Sequence, residues 1–200
     1  MNGTGWAASA MISSRTRLEI ATDNLANASS DGFRKQLAHG FLSESGAHVE
    51  PLASDVQGAL RRTGRPFDLA IVGRGHFLVV DPHGALIQTR SGAFTRDRFG
   101  ALRDDAGRAL LGTRGIARVP DGARIEKNGA ITKDGIVLER IPLQGQSSVQ
   151  TGFIEGSNVN AISEMVDMLG AQRSFESAQK VLSAIDAANQ KVSNEIARLK

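Results

Sequence analysis

The chain begins and ends on one hydrophobic pattern and carries a different one between. Ala7, Met11, Ser14, Leu18, Ala21, Leu25 and Ala28 recur at alternating spacings of four and three. This predicts a helix over about 4–28 with a narrow apolar seam instead of the broad face of a globular helix. The seam is thin in large side chains, so the helix alone is marginal, because nucleation is costly and little area is buried. Ser29, Ser30, Asp31 and Gly32 end it, with Asp-Gly supplying the left-handed residue common at helix exits. At the other end Ala161, Glu164, Met168, Ala171, Phe175, Ala178, Leu182, Ile185, Asn189, Val192, Ile196 and Leu199 keep the same alternation. Sustained over about five heptads, it predicts a long coiled-coil-like helix over about 161–200. Glu164 and Asp167 near its start and Arg198 and Lys200 at its end suit the helix dipole. Ile162, Met165, Val166 and Leu169 widen the apolar face at the start, so this end is expected to meet more than one neighbour. Asn189 occupies a seam position, where a buried amide sets register and an exposed one marks a fraying end; both readings stand.

The middle of the chain changes period. In "FDLAIVGRGHFLVVD", Leu69 and Ile71, then Phe77 and Val79, share a parity, which predicts strands half buried against a core. Turn signals recur at Pro82-His83-Gly84, Phe99-Gly100, Ala106-Gly107, Asp121-Gly122, Asn128-Gly129 and Asp134-Gly135, the kind of punctuation that joins short antiparallel strands. A small sandwich or barrel-like β domain follows. The fold class is therefore α+β. Residues 1–35 and 155–200 form a helical inner domain, 36–57 a linker, and 58–154 a small antiparallel β domain. The two helices are expected side by side and antiparallel, with apolar surface left for other copies. In the isolated chain they are expected to be disordered or weakly helical, ordering on assembly.

Composition narrows the function. Twenty-four basic and 21 acidic residues leave a formal charge of +3, and the two signs alternate along most of the chain, unlike the one-sided basic face of a nucleic-acid binder. Arg61-Arg62, Arg65, Arg34-Lys35 and Arg90 are read as a solvated face or as inter-subunit ion pairs. Cysteine is absent, which excludes disulfides, thiolate-bound zinc and a thiol nucleophile. His39, His48, His76 and His83 show no metal-ligand spacing. Gly73-Arg74-Gly75 lacks the third glycine and the following helix of a phosphate-binding fingerprint and reads as a turn. No catalytic, cofactor or metal site is expected. The N-terminus lacks the basic and apolar regions of a cleavable secretory signal, and no apolar run approaches the length needed to span a bilayer.

The stretch "ATDNLANASSDGFRKQ" then acquires company. "NLANASSDGF" resembles the N-terminal signature of the bacterial flagellar axial proteins, the rod and hook family, and "IEGSNVNAISEMVDMLGAQRSFESAQKVL" resembles their C-terminal one. "TGRPFDLAIVGRGHFLVV", "TRSGAFTRDRFGALRDDAGRALLG" and "GIARVPDGARIE" resemble the family's β core, in the family's order. Within it the chain is most similar to proximal-rod proteins, with distal-rod proteins next. Three departures stand out. Asp23 occupies the place of the signature's usual first Asn, Ser30-Asp31 replaces a threonine-containing pair, and about fifty residues are missing near 143–152.

The resemblance implies a structural subunit of the rod. It would be exported by the flagellar type III machinery without a cleaved signal, and would assemble helically with copies of itself and other rod proteins in the periplasmic basal body, without nucleic acid or membrane insertion. Leu18, Leu25, Phe175, Leu182 and Ile185 are expected to carry the inner packing, with Met11, Met165, Leu169 and Asn189 on the same surfaces. Asn24 and Asn27, and Asn158 within 157–160, are expected to shape the hinges by capping chain ends. Gly32 would be needed for its backbone and Phe33 as an apolar anchor. Two other classes are weighed: a self-contained coiled-coil surface protein and a nucleic-acid binder.

Overall fold

The computed structural model describes residues 3–43 and 46–198, the last four by backbone alone. The seam positions Ile196 and Leu199 and the charges Arg198 and Lys200 lie outside the described side chains. Among the described residues the chain is mixed α+β, with two helices and several small antiparallel sheets. It divides into two compact units: Met1–Ala28, Lys35–Ser54 and Val159–Lys200 in one, Ser29–Arg34 and Asp55–Asn158 in the other.

The first unit contains α1 (Gly3–Ala26), the strands β1 (Gln36–Ser43) and β2 (Gly46–Ala53), and the second helix α2 (Ala161–Arg198). The helices run antiparallel. Thr22 Oγ1 lies 3.9 Å from Met168 Sδ, while a side chain on Gly3 would start 3.5 Å from Ile185 Cδ1. Both helices are formed in the single chain, unlike the weakly helical ends expected, because each seam closes on the other. The alternation of four and three marks the covered positions of α2. Ala161, Glu164, Met168, Ala171, Phe175, Ala178, Leu182 and Ile185 are shielded, and every other described α2 side chain is exposed. Past Ile185 the cover ends, and Asn189 and Val192 are exposed. Length explains this: at about 1.5 Å per residue, the 24 residues of α1 cannot reach along the 38 of α2. Asn189 is thus not a buried register-setter within one chain. Asn160 starts α2, its Oδ1 accepting from the N–H groups of Ile162 (3.0 Å) and Ser163 (3.2 Å), the usual duty of an N-cap amide.

Within the expected linker at 36–57, residues 36–53 are a hairpin. β1 and β2 pair without a register shift from Gln36↔Ala53 to Ser43↔Gly46. The sequence hid it because Leu37, Phe41, Leu42 and Leu52 do not alternate cleanly and all stay exposed. Phe41 stacks on His48 at 5.5 Å, and Ser13 Oγ donates to the Ala47 carbonyl at 2.7 Å.

The second unit holds β3 (Leu60–Arg62), β4 (Leu69–Val72), β5 (Phe77–Val80), β6 (Leu86–Thr89), β7 (Thr95–Arg96), β8 (Leu102–Arg103) and β9 (Ala109–Gly112). It continues with β10 (Gly115–Ile116), β11 (Arg124–Ile125), β12 (Ala130–Lys133), β13 (Ile136–Arg140), β14 (Ser148–Thr151) and β15 (Phe153–Glu155). The main sheet runs β6-β5-β9-β8-β7 with β10 beside β9; β11-β12-β13 form a second sheet, and β14 pairs β4 and β15 pairs β3. Three loops reuse one device. Asp81, Asp97 and Asp104 each open an Asp-x-x-Gly turn. Each carboxylate accepts from the N–H groups two and four residues on, and Gly84, Gly100 and Gly107 take positive φ. Local side-chain bonds of this kind fix the turn before the strands pair. The strands bury Leu69, Ile71, Phe77, Val79, Phe94, Leu102, Leu110, Val119, Ile131, Ile141 and Val149 in one core. Phe77 meets Phe94 edge-on at 5.5 Å. Phe77→Ala should destabilise this unit by about 3–5 kcal/mol, read as a lower urea midpoint.

Candidate functional site: two polar joints

The residues of the two terminal signatures are gathered into two buried polar clusters, one in each unit. In the first, Asn24 in the last turn of α1 is fully buried. Its Nδ2 donates to the Gln36 carbonyl and its Oδ1 accepts from the Gln36 N–H, both at 2.8 Å. The side-chain amide thereby fills the place of a neighbouring strand at the start of β1. Nδ2 also donates to Glu164 Oε2 at 2.9 Å, and the other Glu164 oxygen pairs with Lys35 Nζ at 2.5 Å. Glu164 is 2% exposed, and a carboxylate this deep is tolerated when paired and hydrogen-bonded. Around this core Asn27 Nδ2 donates to Asp23 O at 2.9 Å, and Gln36 Nε2 donates to Asp23 Oδ2 at 3.1 Å. The unusual Asp23 therefore serves as an acceptor on both sides.

In the second unit Glu155, 1% exposed, is the hub. Its Oε2 accepts from Arg90 Nη1 at 3.0 Å, its Oε1 accepts from the Gly58 N–H at 3.1 Å, and Arg34 Nη2 lies 3.5 Å from Oε1. Arg90 also donates to the carbonyls of Ile71 and Gly73. The Glu155 carbonyl accepts from the Gly32 N–H at 2.7 Å. Gly32 has φ +72°, and a Cβ there would sit 2.1 Å from Ser91 N and 2.4 Å from Arg90 C, so both conformation and space demand glycine. Asn158 closes the cluster, donating through Nδ2 to Val56 O at 2.7 Å and through its N–H to Phe33 O at 3.4 Å. Phe33 is half-buried. His76 is held below its ordinary value by partial burial first, then by the charges of Arg90 and Arg34.

Arg34, Lys35 and Arg90, read from sequence as solvent- or partner-facing cations, are internal ion pairs. Lys35 had a visible signal: its partner Glu164 is the one charged residue among the seam positions of α2. Glu155 had none beyond its place before Gly156-Ser157-Asn158. Of the other expected interface residues, Met11, Leu18, Leu25, Phe175, Leu182 and Ile185 are partly covered along the helix pair, while Met165 and Leu169 are about half exposed, at 51% and 53%. Among the described residues no three His, Cys, Asp or Glu side chains gather as metal ligands. The clusters hold turns and strand ends; their carboxylates are already spent on cations and backbone N–H groups.

Asn24→Asp removes the two donor bonds and sets a second carboxylate against Glu164; a loss of roughly 3 kcal/mol is expected, against little for Asn27→Asp, both read by denaturant unfolding. Gly32→Ala should cost more than about 2 kcal/mol. For His76 the folded pKa lies below the unfolded value of 6.5, so the unfolded chain binds the proton more readily. Its contribution is complete above about pH 6.5 and is lost as pH falls below it. His76→Asn should flatten the decline in stability between about pH 6.5 and 5.

Known protein families match this chain in three stretches. Three family profiles match in order: "Flagella basal body rod protein" over 6–34, "Flagellar hook protein FlgE/F/G D1 domain" over 70–138, and "Flagellar basal body rod FlgEFG protein C-terminal" over 150–195. The flagellar basal-body rod protein FlgF of Mesorhizobium japonicum is 28% identical over 224 residues, covering 88% of this chain and 90% of its own. FlgF of Escherichia coli is 29% identical, covering 84% and 87%, and FlgG of Buchnera aphidicola is 25% identical, covering 88% and 92%. The 224 aligned positions with the first use 88% of 200 residues, about 176, so about 48 are filled by that relative alone. Residues 139–149, between the second and third profiles, are matched by neither. The chain belongs to the flagellar basal-body rod protein family.

Proposed function

We propose that this structural rod subunit is of the FlgF-like, proximal kind, and that it joins its neighbours through the apolar surface of its helix pair. The observation that supports this reading is the exposed stripe on α2. Ile162, Met165, Val166 and Leu169 are 75%, 51%, 63% and 53% exposed and fall on one helical face at spacings of three and four. A contiguous apolar face of this size marks an interaction surface. Val181 and Val192 extend the exposed apolar positions toward the end of α2. A helical rod needs contacts in which one patch meets a different patch on the next subunit, and two unequal helices provide this, because α2 outruns α1. The helix faces left exposed then pack across subunits in coiled-coil fashion, around Leu18, Leu25, Phe175, Leu182 and Ile185, which the helix pair covers only in part. The chain reaches the periplasm through the flagellar type III apparatus and transmits torque as part of the shaft. Its role is mechanical and not catalytic, and it binds other axial proteins in preference to nucleic acid or lipid.

The FlgF-like assignment is favoured by the block "RPFDLAI" and by identities of 28% and 29% with FlgF relatives against 26%, 25% and 23% with FlgG relatives. Expression in a strain lacking its own copy tests the reading. The wild-type chain should restore swimming and co-purify with basal bodies. Leu182→Asp and Met165→Asp should abolish both, with the soluble Met165→Asp protein still folded. Normal rods with Leu182→Asp would contradict the packing.

A further inference from the structure

Gly170 sits in the body of α2, where a glycine is a poor helix former compared with alanine. The chain's own packing does not call for it: a Cβ built there meets nothing within 4 Å. The open space beside it is a groove of about 570 Å³, walled by Ile20 and Ala21 of α1, Val166 and Ala171 of α2, and Leu37 and Ala38 of β1. Four charged side chains also line it, Arg17, Lys35, Glu164 and Asp167. Lys35 and Glu164 are paired with each other. Arg17 and Asp167 are exposed and form no ion pair among the described residues. The groove thus suits an apolar ridge with an anion on one flank and a cation on the other. Such a ridge lies where α2 outruns α1. Val181, Ile185, Ala188 and Val192 follow at spacings of four, three and four, which sets them on one face. Val181 and Val192 are 51% and 56% exposed. At 3.6 residues per turn, Asp186 and Lys191 stand on opposite flanks of that face, and both are exposed.

We propose that this groove receives the overhanging part of α2 from a second copy of the chain. Ala188 and Val192 meet the apolar walls, Gly170 lets the incoming helix approach closely, Lys191 pairs with Asp167, and Asp186 pairs with Arg17. Laying the apolar face of a helix in a groove is a recurrent mode of recognition. Ridge and groove are different surfaces of one chain, so the contact does not close on itself and can propagate along a helical assembly. The inference rests on the reading of the chain as a subunit of such an assembly, and names the segment and the groove that meet.

Sedimentation of the purified full chain over a concentration series tests it. Gly170→Phe starts from open space and fills the groove, so self-association should fall by about tenfold or more, with a urea midpoint no lower than that of the wild type. Asp167→Lys and Lys191→Glu should each weaken self-association roughly three- to tenfold, and the double variant should recover most of it. A folded Gly170→Phe chain that associates normally, a double variant no better than the singles, or a wild-type chain that stays monomeric would each overturn the proposal. If Gly170→Phe does not fold, the charge pair decides. A Gly170→Phe chain that self-associates normally but no longer joins basal bodies would give the groove to another protein of the rod. A monomeric wild type that still restores swimming would leave the rod assignment standing and remove only this contact; a chain that fails both assays would remove the rod assignment as well.

Discussion

A carboxylate taken out of water must find its partners within the fold, and this chain has built its two turning points around that requirement. Glu164 is held by Asn24 and Lys35, which brings the end of one helix, the start of the other and the first residue of the hairpin to one spot. Glu155 is held by Arg90, Arg34 and the Gly58 N–H, and its own carbonyl takes the Gly32 N–H. Such clusters are weak sources of net stability compared with apolar packing, but removing one member leaves a buried charge alone. Their effect is to make one path of the chain far better than its alternatives. For a subunit of a shaft, this matters more than raw stability, because the angle at which the chain leaves and re-enters its helices must be the same in every copy.

The helix pair shows the complementary economy. Its seam is narrow, with Ala7, Ser14 and Ala21 where a larger core would carry leucine. Small side chains let the helices lie close while burying little area. The covered part of α2 stops at Ile185, where α1 runs out, and the exposed residues from Ile162 to Leu169 form a second face at the opposite end. The helices thus close one seam within the chain and leave a second apolar face exposed.

Much of this was legible in the sequence. The alternation of four and three marked the shielded positions of α2 one by one, and the parity of Leu69, Ile71, Phe77 and Val79 identified four members of the β core. The glycine-containing pairs marked the turns, although not that those at Gly84, Gly100 and Gly107 share one hydrogen-bonding device. The hairpin at 36–53 was missed because exposed apolar residues on both faces erase the period-two signal. The joints were half visible. Asn24 and Gly32 stood out as motif residues, whereas Glu164 was read only as a charge suited to the helix dipole. Arg90 and Glu155 did not stand out, since 65 positions separate them and no local pattern links residues that distant. Asn189 illustrates the limit of periodicity: its place on the seam was correct, but whether a seam position is covered depends on the length of the partner helix.

The central claim is that the helices and the first joint are already closed in the single chain. Amide hydrogen exchange on the full-length protein at low concentration tests this most directly. The account predicts slow exchange at the Gln36 N–H, through α1, and along α2 as far as Ile185, with faster exchange beyond. Fast exchange throughout both helices, with protection confined to residues 58–154, would contradict it and return the helices to segments that order only on assembly.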